Sequence, residues 1–123
     1  MQHGIKNFRY TYRLTNNEDL LMEYIDGITF LEYLRNFRDN FQELTTILSI
    51  ILLTIAISQE FYCFIHNDLY PWNILLIKHN ISKSYTYLLR GEWITIESFI
   101  EPIIIDYGKA QVVGDVEYNY FSK

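Results

Sequence analysis

The chain has 123 residues, of which half are hydrophobic and a fifth are charged, with a formal net charge of −5. This length suits one small domain, and the composition is that of a globular protein rather than a disordered one. The negative charge disfavours a nucleic-acid-binding protein, which normally carries a basic excess. The single cysteine, Cys63, excludes an internal disulfide framework and indicates a reducing, cytoplasmic compartment.

Amino-acid usage is strongly biased, with 11 Tyr and 8 Phe against 2 Pro. Residues encoded by AT-rich codons dominate, so the bias indicates an AT-rich genome such as that of a large DNA virus. A viral protein of this kind would act in the host cytoplasm. The segment Met1–Arg13 contains no apolar run of the kind that export signals need, so an intracellular protein is expected.

The first predicted elements are two strands. Apolar and polar residues alternate in Phe8–Leu14, and apolar residues cluster in Leu20–Ile25. The turn-forming residues Thr15–Glu18 lie between them. An antiparallel hairpin is therefore expected. Asp26 and Gly27 end the second strand.

Two helices are predicted next. Thr29 and Glu32 have the spacing of a capping box, which predicts a short helix ending near Phe37. A long helix is expected over Phe41–Tyr62, largely buried because few polar residues interrupt it. Its most apolar part, Ile47–Ile57, spans about half the length of a membrane-crossing helix, so a core helix without membrane contact is predicted.

The remaining predicted elements are strands, which gives an α+β fold. Short strands are expected at Phe64–Ile65, Ile74–Ile77 and Pro102–Ile105. Between the last two, Tyr85–Leu89 is expected to turn at Arg90 and Gly91 into Trp93–Ile96, as an additional hairpin.

The segment Ile65–Leu76 reads IHNDLYPWNILL and contains the chemically informative residues His66, Asp68 and Asn73. With ordinary residue frequencies, His, Asp, Leu and Asn at this spacing occur by chance roughly five times per million start points. A later apolar run ends in Asp106-Tyr107-Gly108. The alternative is that Asp68 and Asn73 are turn residues, but the order of the two motifs favours a catalytic site.

These motifs resemble those of the protein kinase superfamily. His66–Asn73 is similar to the catalytic loop H-x-D-L-x-x-x-N, and Asp106-Tyr107-Gly108 to the metal-binding D-F-G motif. Leu21–Gly27, LMEYIDG, resembles the hinge between the two lobes. Asn67 and Tyr70 stand where regulated and serine/threonine kinases carry Arg and Lys, so the loop is closer to atypical or small-molecule kinases.

The resemblance implies an ATP-dependent phosphotransferase that uses Mg²⁺. Asp68 would accept or orient the proton of an attacking hydroxyl, and Asn73 and Asp106 would bind the metal through oxygen atoms. The acceptor stays open between a protein Ser or Thr, a sugar and an aminoglycoside-like molecule.

The resemblance also assigns binding and structural residues. Backbone groups of Glu23 and Ile25 would hold the adenine edge, with Met22 at the back of the adenine pocket. His66 and Gly108 would be structural members of their motifs.

The resemblance covers part of a kinase domain: small-lobe strands and hinge over 8–25, and the start of the large lobe over 26–123, with an insertion at about 78–101. The G-x-G-x-x-G loop, the phosphate-binding Lys and the A-P-E motif have no match in these residues. The chain would then be weakly active and need a protein partner to complete its fold. The alternatives are an inactive pseudokinase-like binding module and a non-functional gene fragment.

Overall fold

The computed structural model describes residues 7–9, 11–14, 20–22, 24–105 and 111–112, and these form an α+β fold. The helices are α1 (Phe30–Arg35) and α2 (Phe41–Tyr62). The strands are β1 (Thr11–Leu14), β2 (Leu20–Met22), β3 (Ile28–Thr29), β4 (Phe64–Ile65), β5 (Ile74–Leu89), β6 (Glu92–Ile104) and β7 (Gln111–Val112).

The described strands form three sheets, and all strand pairs in them are antiparallel. β1 pairs with β2, which confirms the predicted N-terminal hairpin with shorter strands. The central sheet has the order β3-β5-β6, and β4 pairs with β7. Phe8 lies outside β1 and forms an isolated parallel bridge with Ile104, which attaches the N-terminal segment to the edge of β6.

The two short strands predicted at Ile74–Ile77 and Pro102–Ile105 are the start of β5 and the end of β6, which form one long hairpin. β5 and β6 pair from Ile74 and Ile104 to the turn at Arg90 and Gly91, with one irregularity between Lys78 and Lys83. The turn residues have φ of 52° and 80°, the left-handed values that a tight two-residue turn requires. The segment 78–101 therefore continues the two strands instead of forming a separate hairpin.

This hairpin divides into two halves with different surroundings. The inner half joins Ile74–Lys78 to Ile100–Ile104, and β3 pairs with it along Leu75 and Leu76. The outer half joins Lys83–Leu89 to Glu92–Ser98. Buried and exposed residues alternate at Tyr85–Leu88, as expected of a strand with one face in solvent.

Helix α1 begins as its sequence predicts. The Thr29 hydroxyl accepts a hydrogen bond from the Glu32 amide at 3.1 Å, the N-terminal half of the capping box. The helix ends at Arg35, two residues before the predicted end at Phe37. The Asn36 backbone and side-chain nitrogens both donate to the Glu32 carbonyl, at 3.2 and 3.0 Å, and close the last turn there.

Helix α2 has the predicted bounds, but the prediction that it is largely buried is wrong. Its N-cap is Asn40, whose side chain accepts from the Glu43 amide at 3.2 Å. A single stripe faces the hairpin and is buried: Ile47, Ile50, Ile51, Thr54, Ile57 and Ser58. The opposite stripe is exposed, with 66% of Leu52 in solvent, because the central sheet covers one side of the helix.

The part of α2 over Phe41–Phe61 is long and apolar enough to cross a membrane, with a mean hydropathy of 1.8. In the structure, 33% of its most apolar stretch is buried. The core helix of a soluble protein meets the same criterion, so this observation alone is weak evidence for a membrane span.

The described core consists of two clusters along α2. The first lies between the inner half, α1 and the first part of α2: Phe30, Ile47, Ile51, Ile74, Leu76 and Ile100. The second lies between the outer half and the later part of α2: Ile50, Ile57, Tyr85 and Tyr87. The long hairpin thus supplies the sheet side of both clusters.

A buried polar group joins the N-terminal segment to this core. The Asn7 side chain donates to the Pro102 carbonyl at 2.9 Å and accepts from the Tyr87 hydroxyl at 2.8 Å. The Thr54 hydroxyl also reaches the Asn7 side-chain oxygen, at 3.4 Å. Burial of these groups is tolerated because each has a hydrogen-bond partner.

Candidate functional site

The motif His66–Asn73 lies in the loop between β4 and β5. Tyr70 N donates to the Asp68 carbonyl at 3.0 Å, and Asn73 N donates to the Tyr70 carbonyl at 2.8 Å. Residues Pro71–Asn73 form a turn of 3-10 helix with the proline at its start, where its missing N–H costs nothing. These bonds give the loop a defined shape between two strands.

The His66 side chain holds this loop in place through hydrogen bonds at both ring nitrogens. Its ring is buried, and Nε2 lies 2.9 Å from the Ile105 carbonyl, while Nδ1 accepts from the Asp68 amide at 3.2 Å. A carbonyl can only accept and an amide N–H can only donate, so the ring carries its proton on Nε2. Both ring nitrogens are therefore occupied by backbone groups, and His66 positions Asp68.

Asn73 holds the other side of the loop. Its buried amide nitrogen donates to the Asp68 carbonyl at 2.7 Å and approaches the Asp68 carboxylate at 3.4 Å. The Asn73 carbonyl accepts from the Ile105 amide at 3.0 Å. Asp68 is half-buried between these contacts. The loop and the strand end that leads to Asp106 are thus joined directly.

The structure brings together three of the predicted site residues: His66, Asp68 and Asn73. Glu23, Asp106 and Gly108 lie outside the described residues, and their predicted functions stay predictions. Of the predicted adenine-binding residues, Met22 ends β2 and Ile25 is half-buried in the segment that follows.

The hinge-like segment nevertheless lies against the strand that leaves the loop. A Cβ on Gly27 would be 2.4 Å from the Leu76 carbonyl oxygen, so a glycine is needed for this approach of two backbones. β3 follows immediately and pairs with Leu75 and Leu76. The segment that resembles a hinge and the loop that resembles a catalytic loop therefore meet at the start of β5.

Two features of the site were missed from the sequence. Ile105 anchors both His66 and Asn73 through its backbone, which no side-chain pattern reveals. Tyr70 and Trp72 stack with ring centroids 4.5 Å apart and planes 11° from parallel. Two aromatic residues on either side of a proline were the available signal for this stack.

The donor set fits a hard divalent cation. The side-chain oxygen of Asn73 is a ligand of the kind Mg²⁺ prefers, and the Asp68 carboxylate beside it adds negative charge without being assigned as a ligand. The Asn73–Ile105 hydrogen bond places the chain one residue before Asp106 at the same point.

The chain matches no protein-family model. It is 38% identical over 117 residues to uncharacterized protein 179R of Invertebrate iridescent virus 6, covering 84% of this chain and 10% of the relative. It is 31% identical over 97 residues to probable kinase 098L of Invertebrate iridescent virus 3, covering 79% of this chain and 18% of the relative.

A third relative is a probable serine/threonine-protein kinase of Dictyostelium discoideum. The identity is 32% over 102 residues, covering 76% of this chain and 8% of the relative. The chain thus spans less than a fifth of the length of each of these relatives. Together the similarities to two proteins named probable kinases indicate a kinase-like relationship, and two of the three relatives are viral.

Proposed function

We propose that this chain carries the catalytic loop of a kinase-like, ATP-dependent phosphotransferase that moves a phosphoryl group from Mg-ATP to a hydroxyl. One observation carries the proposal: His66 and Asn73 hold Asp68 by hydrogen bonds and are both tied to Ile105, the residue before Asp106. These bonds tie the loop that carries Asp68 to the residue before Asp106, which supports the proposal because phosphoryl transfer needs its base and its metal ligands close together.

Asp68 is the group that accepts or orients the proton of the attacking hydroxyl. Phosphoryl transfer needs little covalent help from the protein, so positioning of this carboxylate is the main requirement. The His66 ring and the Asn73 amide restrain the backbone of Asp68 from two sides. Its half-buried side chain keeps an open side toward solvent, where an acceptor can approach.

Asn73 and Asp106 are the metal-binding pair in this proposal. The Asn73 amide nitrogen is directed at Asp68, which leaves the amide oxygen for a cation. When bound, ATP supplies the phosphoryl group, and its Mg²⁺ supplies the positive charge that neutralises the phosphate oxygens.

The nucleotide base is proposed to lie against the hinge-like segment. Backbone groups of Glu23 and Ile25 bind the adenine edge, and Met22 lies behind it. Contact between Gly27 and Leu76 supports this arrangement, because it brings the segment beside the strand that leaves the catalytic loop. Gly108 is the structural glycine of the same motif as Asp106 in this proposal.

The proposed acceptor class is a Ser or Thr hydroxyl of a protein, by analogy with the name of the Dictyostelium relative. The division into small-lobe strands at 8–25 and large-lobe residues from 26 onward is part of the same proposal. So are a protein partner that completes the fold and an intracellular location.

Nucleotide binding is tested by thermal unfolding of the chain with and without Mg-ATP. A ligand specific to the folded state adds about 2.7 kcal/mol at a hundredfold excess over its Kd. We expect an upward shift in Tm that is lost in Asp106→Asn and Asn73→Ala. Asp39→Asn is the matched control, because Asp39 is exposed and its φ of 65° is one that Asn also adopts.

Catalysis is separated from binding by Asp68→Asn. This variant should keep the Mg-ATP shift and lose phosphoryl transfer to any acceptor. A cooperative transition that Mg-ATP does not move would contradict the proposal. Transfer that survives Asp68→Asn would remove Asp68 from its assigned function, and nucleotide binding without transfer in the unmodified chain would favour the pseudokinase-like alternative.

A further inference from the structure

The stacked rings of Tyr70 and Trp72 form a surface beside the candidate base that the chemistry of phosphoryl transfer does not use. About half of each residue is exposed, 49% and 48% respectively. The two rings stack at a centroid distance of 4.5 Å, so they form one aromatic surface of which about half stays in solvent.

The rings are held at a short distance from Asp68. Tyr70 is two residues away, so its Cα lies within about 7 Å of the Asp68 Cα. The bonds from Tyr70 N to the Asp68 carbonyl and from Asn73 N to the Tyr70 carbonyl keep this stretch from moving independently. An acceptor whose hydroxyl reaches Asp68 therefore brings its neighbouring groups within reach of the two rings.

The charge around the rings selects the kind of group that fits. The segment 65–77 contains the carboxylate of Asp68 and no Lys or Arg, and the whole chain has a formal charge of −5. α1 packs against the turn at Pro71–Asn73, and its Glu32 and Arg35 offset each other. A cation placed over an electron-rich ring face and near a carboxylate is attracted by both.

From these observations we infer that Tyr70 and Trp72 bind an arginine or lysine side chain of a peptide acceptor, next to the hydroxyl presented to Asp68. Arginine fits best because its planar guanidinium stacks on an aromatic face. The inference rests on the proposed function and narrows its acceptor to a Ser or Thr flanked by basic residues. Tyr70 and Trp72 are then specificity-determining residues for the acceptor.

The test compares binding of two end-labelled peptides of equal length by fluorescence anisotropy without nucleotide. In one peptide a serine is flanked by arginines, and in the other by citrullines, which keep the shape and lose the charge. We expect the arginine peptide to bind roughly 2- to 5-fold more tightly, the ratio for an exposed cation–ring contact. Because nucleotide is absent, this measurement can fail while Mg-ATP binding succeeds, or the reverse.

Three variants test which residues cause the preference for the arginine peptide over the citrulline peptide. Tyr70→Leu and Trp72→Leu should each reduce the arginine preference, and together they should bring the ratio to about one. Trp93→Leu is the control, because Trp93 is an exposed tryptophan on the outer half of the hairpin. Equal binding of the two peptides to the unmodified chain would overturn the inference. So would a preference that persists when both rings are absent, since attraction to carboxylates alone would then explain it.

A second measurement covers the case in which a leucine variant fails to fold. The chain has two tryptophans, so Trp93→Leu leaves Trp72 as the single emitter. The arginine peptide should change the Trp72 emission more than the citrulline peptide does. Unchanged emission during peptide binding would place the peptide elsewhere and overturn the inference.

Discussion

The two halves of the β5–β6 hairpin belong to the same two strands, yet their surroundings differ. The inner half is paired with β3, packs against α1 and α2, and ends at the loop that carries Asp68. The outer half packs one face against α2 and leaves the other face in solvent. The difference indicates that the inner half positions the site, whereas the outer half mainly stabilises the later part of α2.

The largest expected effect comes from creating a cavity in the inner half. Ile104 is 1% exposed, so Ile104→Ala should lower the free energy of unfolding by about 2–5 kcal/mol. Ile96→Ala in the outer half should cost less, because Ile96 is only partly buried against its cluster. Urea denaturation measures both values, and equal losses would contradict the difference between the halves.

A smaller effect is expected from the glycine at the inner half. A Cβ at Gly27 would lie 2.4 Å from the Leu76 carbonyl oxygen, which is backbone and cannot rotate away. Gly27→Ala should therefore cost about 1–3 kcal/mol through overpacking, and should also weaken the Mg-ATP shift.

Gly91→Ala is the matched change at the outer turn, where no atom of the described residues lies within 4 Å of the new Cβ but φ is +80°. Strain alone should cost about 1–2 kcal/mol and leave the Mg-ATP shift unchanged. If Gly91→Ala weakened the Mg-ATP shift and Gly27→Ala did not, the outer half and not the inner half would be the part that positions the site.

Two tyrosines of the outer half should respond oppositely to removal of their hydroxyls. The Tyr87 hydroxyl donates to the Asn7 side chain at 2.8 Å, so Tyr87→Phe should cost about 1 kcal/mol. The Tyr85 hydroxyl is buried and has no hydrogen-bond partner among the residues that the structure describes, so Tyr85→Phe should be neutral or stabilising. Thermal unfolding compares them, and a larger loss for Tyr85→Phe would contradict the described contacts.

The smallest expected effect is a loss of stability in alkali. Burial raises the pKa of Tyr87 to about 12, and burial with a hydrogen bond to Glu43 raises that of Tyr33 to about 12, from 10.0. Because the folded-state pKa exceeds the unfolded value, this stabilisation is complete below pH 10 and is lost as the pH rises through 12. The urea midpoint should fall over that interval, less steeply in Tyr87→Phe, while the exposed Tyr24→Phe control leaves the slope unchanged.

The sequence by itself determined the local elements of this protein. The N-cap at Thr29, the bounds of α2 and the turn at Arg90 and Gly91 depend on contacts between residues near in the chain, and each was predicted correctly. The grouping of His66, Asp68 and Asn73 was also readable, because a fixed spacing within one loop keeps these residues together wherever the loop lies.

Only the tertiary structure decided which surfaces are covered and which backbones meet. The exposed side of α2 was predicted to be buried because hydrophobicity does not say how many layers pack around a helix. The full length of β5 and β6 was not predicted, because the mostly polar residues at 79–84 do not read as a strand. Hydrogen bonding between the two strands keeps them extended. The anchoring of His66 and Asn73 on Ile105 was invisible for the same reason: backbone hydrogen bonds between distant segments depend on the fold and not on side-chain identity.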